Sequence, residues 1–192
     1  MPNAATLSKL VAAFVALAAA TLAVNAQAGF ISTRPSLTQT GPRCATTTTG
    51  QVCDALFGGG QPMAPGGPAV SRQVTLTFKG SQSSTAAGLY FKNFSSRSNS
   101  SDPICTAADP ASKFNFTVSA EGQVLYQGTL ADFAASHSDP ASRLALPGHS
   151  GSADRWAPGD SVTITLAVKL DRSADNQYMG CSTNADFVWF AE

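Results

Sequence analysis

Residues 162–170 constrain this chain most. Val162, Ile164, Leu166, Val168 and Leu170 alternate with Thr163, Thr165, Ala167 and Lys169. Successive side chains of an extended strand point to opposite faces, so this alternation describes a strand with one face in a core and one in water. Trp156-Ala-Pro-Gly-Asp160 supplies the turn that enters it, because Pro fixes φ and Gly tolerates φ > 0. A polar loop over 173–181 follows, and the closing run 185–190, Ala-Asp-Phe-Val-Trp-Phe, reads as a last strand.

The same pattern recurs upstream. Val74, Leu76 and Phe78 alternate with Thr75 and Thr77, which predicts a strand over 72–78. Residues 89–94 read as another strand, and 95–111, rich in Ser, Asn, Asp and Pro, as a loop. Phe114, Phe116 and Val118 alternate with polar residues, Glu121-Gly122 offers a two-residue turn, and 123–128 returns, so 113–128 reads as a hairpin. Thr129 followed by Leu-Ala-Asp-Phe-Ala-Ala predicts an N-cap and one or two helical turns. Residues 144–146 read as a short strand before Pro147-Gly148, and 51–57 as another. No long helices alternate with these strands, which disfavours a parallel α/β sheet. The expected fold is all-β, an antiparallel β-sandwich of jelly-roll type with one short helix.

The first 28 residues read differently. Lys9 precedes an Ala/Leu/Val-rich run over 10–26, and Ala26-Gln27-Ala28 has the small-x-small form of a cleavage site. We read 1–28 as a secretory signal peptide, so the mature chain is expected to be secreted or at the cell surface, with no membrane attachment after cleavage. Residues 29–68 read as a polar, irregular N-terminal arm over 29–42, then a small cysteine loop and a Gly/Pro-rich linker. Residues 69–192 read as the sandwich, and 29–192 together as one mature domain. Without the leader 192 − 28 = 164 residues remain, enough for one core. Twelve basic and twelve acidic residues over the whole chain leave no basic stripe, so neither nucleic acid nor an anionic membrane surface is an expected partner.

Cys44, Cys53, Cys105 and Cys181 form an even set in an exported chain, which suggests two disulfides. Three pairings are possible. We favour Cys44–Cys53, closing a Thr-rich loop, and Cys105–Cys181, tying the loop over 95–111 to the end of the chain. A Cys₄ zinc site is disfavoured because no C-x-x-C pair occurs.

The order of these segments is similar to the TasA/camelysin family. The residues that carry the resemblance are Trp156-x-Pro158-Gly159-Asp160-Ser161-Val162, Leu170-Asp171-x-Ser173-Ala174-x-Asn176-x-Tyr178-x-Gly180 and Phe187-x-Trp189-x-Ala191. Val124-Leu-Tyr-Gln-Gly-Thr-Leu130 before a short helix, and Ala64-Pro-Gly-Gly67 before a strand, add to it. The resemblance spans about residues 65–192. It implies a secreted jelly roll, with relatives that build extracellular matrix fibres or sit on the cell envelope, some of them labelled metallo-endopeptidases. The chain departs from that pattern in its cysteines and in the absence of an alternating first strand over 37–60.

Residues with catalytic potential are few. His137 and His149 are the only histidines, both in polar stretches that read as solvated loops; no H-E-x-x-H occurs, and His137, Asp139, His149 and Asp154 are the weak candidates for a metal. Gly148-His-Ser-Gly-Ser152 lacks the strand and helix that a nucleophile elbow needs. Gly58-Gly-Gly60 has no Lys-Ser/Thr after it and is no phosphate loop. Asp102, Asp109, Asp171 and Asp175 lack calcium-loop spacing and read, at Asp102 and Asp109 above all, as turn formers. Asn93, Asn99 and Asn115 head N-x-S/T triplets. Trp156, Tyr178, Phe187 and Trp189 read as core aromatics in preference to a sugar platform.

No catalytic residue and no cofactor is therefore expected. The expected role is that of a secreted structural or surface subunit that associates with itself or with another surface protein by β-strand addition. The arm over 29–42 would be the donor, with Phe30 and Ile31 as its apolar anchors. An envelope metallo-endopeptidase and a carbohydrate-binding sandwich are the alternatives.

Overall fold

A computed structural model describes residues 28–29, 37–40, 44–47, 50–53, 56–57, 63–79, 86–97, 105–148 and 155–191, with side chains from 56 onward except at 97. Its strands are β1 (Ala28–Gly29), β2 (Leu37–Thr40), β3 (Cys44–Thr47), β4 (Gly50–Cys53), β5 (Val70–Phe78), β6 (Ala87–Arg97), β7 (Phe114–Ala120), β8 (Gln123–Thr129), β9 (Leu144–Ala145), β10 (Ser161–Leu170) and β11 (Ser182–Ala191). One helix, α1 (Leu130–Ser136), stands among them. The main sheet has the order β2-β5-β10-β7-β8, the second β11-β6-β9, and a small one β1-β4-β3. Every paired strand runs antiparallel.

The alternation in β10 becomes packing directly. Val162, Ile164, Leu166, Val168 and Leu170 are buried, and Thr163, Thr165 and Ala167 face outward. The neighbours β5 and β7 bury Val74, Leu76 and Phe78, and Phe116, Val118 and Ala120, in the same core. The second sheet supplies the opposing layer with Leu89, Phe91, Phe187 and Trp189. Each of these large side chains contributes about 1.5–3 kcal/mol by leaving water. Phe91 stands at the centre, with ring centroids 4.5 Å from Phe133, 4.9 Å from Phe187 and 5.6 Å from Phe116. The expected all-β sandwich is thus the observed architecture.

Local chemistry places the connections. The β7–β8 turn has Glu121 at φ 49° and Gly122 at φ 86°, the left-handed pair that a tight hairpin turn requires. The cap of α1 is reciprocal: Thr129 Oγ1 accepts from the Asp132 N–H at 3.0 Å, while the Thr129 N–H donates to Asp132 Oδ2 at 3.4 Å. Such a capping box holds two otherwise orphaned donors. Phe133, fully buried, anchors that helix between the layers. In the entry turn of β10, the Asp160 N–H donates to Ala157 O at 2.9 Å and the Ala157 N–H to Asp160 Oδ2 at 2.7 Å. Trp156 is fully buried, and its Nε1 donates to Leu146 O.

Three expectations change. The stretch read as an irregular arm contains β2, whose Leu37, Thr38, Gln39 and Thr40 pair with Phe78, Thr77, Leu76 and Thr75. The loop read over 95–111 begins later, because β6 runs on to Arg97. A bulge makes that possible: Asn93 takes φ 52°, its amide donates to Asp186 Oδ2 at 2.7 Å, and the register with β11 shifts there. The short strand expected at 51–57 lies earlier, as β4.

The cysteine reading divides in two. Cys105 and Cys181 form a disulfide across a sequence separation of 76, with Cα atoms 4.9 Å apart. Cys44 and Cys53 are direct partners in the β3–β4 register. Directly opposite residues of an antiparallel pair have Cα separations that a disulfide can span.

Candidate functional site

A sheet offers chemistry at its edges, where backbone N–H and C=O groups lack a ladder partner. The main sheet ends in β2 on one side and β8 on the other. β2 pairs by four residues with the nine-residue β5, at the end of β5 that runs from Thr75 to Phe78. Past Thr75, the residues Val70 to Val74 have no β2 partner in that ladder. Among the described residues, this edge is therefore paired along about half its length, by β2. Gly29, the first residue of the expected donor arm, pairs with Val52 of β4. Residues 30–36 between the two paired stretches, Phe30 and Ile31 among them, lie outside the described residues.

The β8 edge is longer. Gln123-Val-Leu-Tyr-Gln-Gly-Thr129 carries no charge and no Pro, the two devices that most often blunt an edge. It has a third device instead: the register pairs Val118 with Tyr126 and the next residue, Ser119, with Val124, so Leu125 is left over and β8 itself carries a bulge. A bulge twists an edge and interrupts any further ladder. Val124 points outward and is 55 % exposed. The β2–β5 edge, by contrast, is in regular register and already carries a strand.

The other sequence candidates resolve into local structure. His137 is the residue that ends α1; it is half-buried against the rings of Phe133 (4.6 Å) and Tyr126 (5.8 Å), and its Nδ1 lies 2.6 Å from Ser142 O. That contact makes Nδ1 the protonated nitrogen, since a carbonyl only accepts. This placement corrects the reading of His137 as a solvated loop residue. Asp139 accepts from the N–H groups of Ala141 and Ser142 at 2.8 and 2.9 Å, and those donors hold its carboxyl below the usual range. His149, Asp154, Ser152, Asp102, Asn99 and the three glycines at 58–60 lie outside the described residues. Among the described residues, no group of three or more His, Cys, Asp or Glu is placed to hold a metal ion.

The remaining aspartates are caps. Asp109 accepts from the Ala111 N–H at 3.1 Å ahead of a short 3-10 turn (Pro110–Lys113), and Asp175 from the Gln177 N–H at 2.9 Å. Asp171 accepts from both the N–H and Oγ of Ser173, each at 2.7 Å, and from the Asn115 amide at 3.0 Å. Those three donors hold its carboxyl far below the usual carboxylate range. Asn93 and Asn115 thus both spend their amides on aspartates.

The aromatics are core residues. Trp156, Phe187 and Trp189 are buried, and only Tyr178 is half-exposed, so they form no open stacking platform. Burial, then the charge of Asp139, raises the Tyr90 phenol; burial, then Asp132, raises Tyr126. Among the described residues, no helix is long and apolar enough to cross a membrane.

The sequence reading missed the edge position of β2, because four residues, Leu-Thr-Gln-Thr, are too few to show a period. Neither a protein-family model nor a curated protein matches the chain.

Proposed function

We propose that this protein is an extracellular structural subunit, a jelly-roll sandwich that associates with copies of itself by β-strand addition. The observation that carries the reading is the β2–β5 ladder. The N-terminal region of the chain already serves as an edge strand, in a defined antiparallel register that pairs Leu37 with Phe78 and Thr40 with Thr75. The arm of a second copy can take the same place in the same register. Such an exchange costs little, because the contacts in trans repeat the contacts in cis. A four-residue ladder is also a weak hold, at about 0.5–1.5 kcal/mol per net hydrogen bond.

Exchange between copies joins head to tail. Each subunit gives its arm to one neighbour and receives one from another, so the contact does not close and a filament grows. Main-chain hydrogen bonds supply affinity, and alternate side chains supply specificity. Phe30 and Ile31 extend the donor beyond β2. Signal cleavage would set the start of that arm free, which ties assembly to export. The resemblance to the TasA/camelysin family supports the same reading.

Deletion of residues 29–40 tests it. The truncated chain should keep its β-type circular dichroism and remain single-copy, while the processed full-length chain grows filaments visible by negative-stain electron microscopy. Filaments from the truncated chain would show that another segment is the donor.

A further inference from the structure

The two residues that flank the expected cleavage point, Ala28 and Gly29, are the two residues of β1. Both are paired antiparallel with β4, Ala28 with Cys53 and Gly29 with Val52. β4 is the middle strand of the small sheet: β3 lies on its other side, where Cys44 is paired with the same Cys53. β1 also lies next to β11 of the second sheet. The peptide bond that processing must break is therefore part of a folded ladder, between residues that are both already paired.

A protease takes its substrate as an extended segment and makes its own main-chain hydrogen bonds around the bond it cuts. Ala28 and Gly29 must leave β4 and move out from β11 before an active site can close round them. The bond is thus cut only in chains whose small sheet has not formed or has opened, and the rate follows the population of that open form. The β3–β4 hairpin adds to the hold. A disulfide between Cys44 and Cys53, which the register permits, would keep β4 in place as the template for β1.

Cleavage in turn dissolves the ladder. It removes Ala28 and makes Gly29 a chain end, with an ammonium group in place of the peptide N–H. One pair is left, on the residue type that loses most freedom on ordering. Chain ends fray unless they are tied down, so the start of the arm comes away from β4.

We infer that β1 is a checkpoint on maturation: a chain that folds with its leader attached hides its own cleavage bond against β4 and keeps the start of its arm in place, so a signal peptidase must act before the small sheet closes. For what the released arm does next, this inference rests on the strand-addition reading; the protection of the bond does not.

The test uses the precursor, residues 1–192, unfolded in urea and diluted into mild detergent. A purified signal peptidase is added either at the moment of dilution or after folding is complete, and cleavage between Ala28 and Gly29 is followed by intact mass. Early addition should process most chains, and late addition should cut at least about tenfold more slowly, because only the open form is a substrate. A synthetic peptide of residues 20–36 supplies the rate for the unprotected bond. Val52→Pro breaks the middle strand opposite Gly29, where Pro is not accommodated, and should make late cleavage as fast as early. Circular dichroism checks that this variant still forms the sandwich; if it does not fold, the wild-type comparison of early with late addition decides alone. Equal rates for early and late addition would overturn the inference, and so would late protection that survives Val52→Pro in a folded chain. A peptide that is never cut removes the leader reading, and this inference with it. The strand-addition reading is judged apart, on filaments from a chain that begins at Gly29: their absence sinks that reading and leaves the protection of the bond standing.

Discussion

Replacing Phe91 by Ala should cost this protein about 4 kcal/mol of stability. Phe91 is 1 % exposed and touches four other rings: Phe133, Phe187, Phe116 and Phe94, with centroids 4.5, 4.9, 5.6 and 6.1 Å away. Burying a phenylalanine and leaving a cavity in its place costs about 3–5 kcal/mol on truncation. Edge-to-face contacts such as that with Phe187, at an interplanar angle of 79°, add about 0.5–1.5 kcal/mol. The four rings come from both sheets and from α1, so little can collapse into the gap, and the upper part of the range applies. At about 2–4 °C per kcal/mol for a chain of this size, the midpoint should fall by roughly 10 °C. Urea titration of the oxidised protein, followed by tryptophan fluorescence, measures it. Phe91→Leu, which fills most of the space, should lose about a third as much. A Phe91→Ala cost under about 1 kcal/mol would mean that the two sheets do not meet at this ring, and the sandwich described here would be wrong.

Four further outcomes follow from particular contacts. Thr129→Ala removes one half of the capping box and should cost about 1 kcal/mol, with Thr129→Ser close to neutral, both read by urea titration. Cys105→Ser with Cys181→Ser opens a loop of 76 residues and should cost about 4–5 kcal/mol on the chain-entropy account, measured against the wild type with and without reductant. Thr183 Oγ1 is buried with no hydrogen-bond partner among the described residues, so Thr183→Val should stabilise the fold by about 1 kcal/mol, where a loss of stability would show that the hydroxyl is hydrogen-bonded. Asp171 has a depressed folded-state pKa, so its contribution is present above the unfolded value of about 3.9 and is lost as pH falls below it. The stability of Asp171→Asn should therefore fall less steeply between about pH 4 and pH 2 than that of the wild type.

Much of the fold was legible because its signals are local. The alternation over 162–170, the Glu121-Gly122 turn and the Thr129 cap each need only a few neighbouring residues to act, and each appears where the pattern puts it. The Cys105–Cys181 bridge was legible for another reason: both cysteines sit in polar loops beside strands that must come together. β6 was harder. Ala87, Leu89, Tyr90 and Phe91 are all buried, so the run is covered on both faces and shows no alternation. Its continuation through Ser95 and Ser96 depends on a bulge at Asn93 and on pairing with β11, neither of which leaves a mark nearby.

The candidate site was less legible than the fold. Leu37–Thr40 becomes a strand because β5 offers it an edge, a tertiary fact that no four-residue pattern contains. His137 looked like a loop residue because its neighbours in sequence are polar; its neighbours in space are Phe133 and Tyr126. Asp109, Asp171 and Asp175 could be read as ligands or as caps from sequence, and their hydrogen bonds show caps.

The exchange of arms between copies can be seen directly by cross-linking. Thr38 and Thr77 are cross-strand partners between β2 and β5. One chain carrying Thr38→Cys and another carrying Thr77→Cys are mixed after processing, oxidised in a glutathione buffer, and mapped as non-reduced peptides. Strand addition predicts a disulfide joining residue 38 of one chain to residue 77 of the other, in yields that grow with filament mass. If that link never forms between chains, while a single chain carrying both substitutions closes it internally, the arm stays with its own sheet and the account is contradicted.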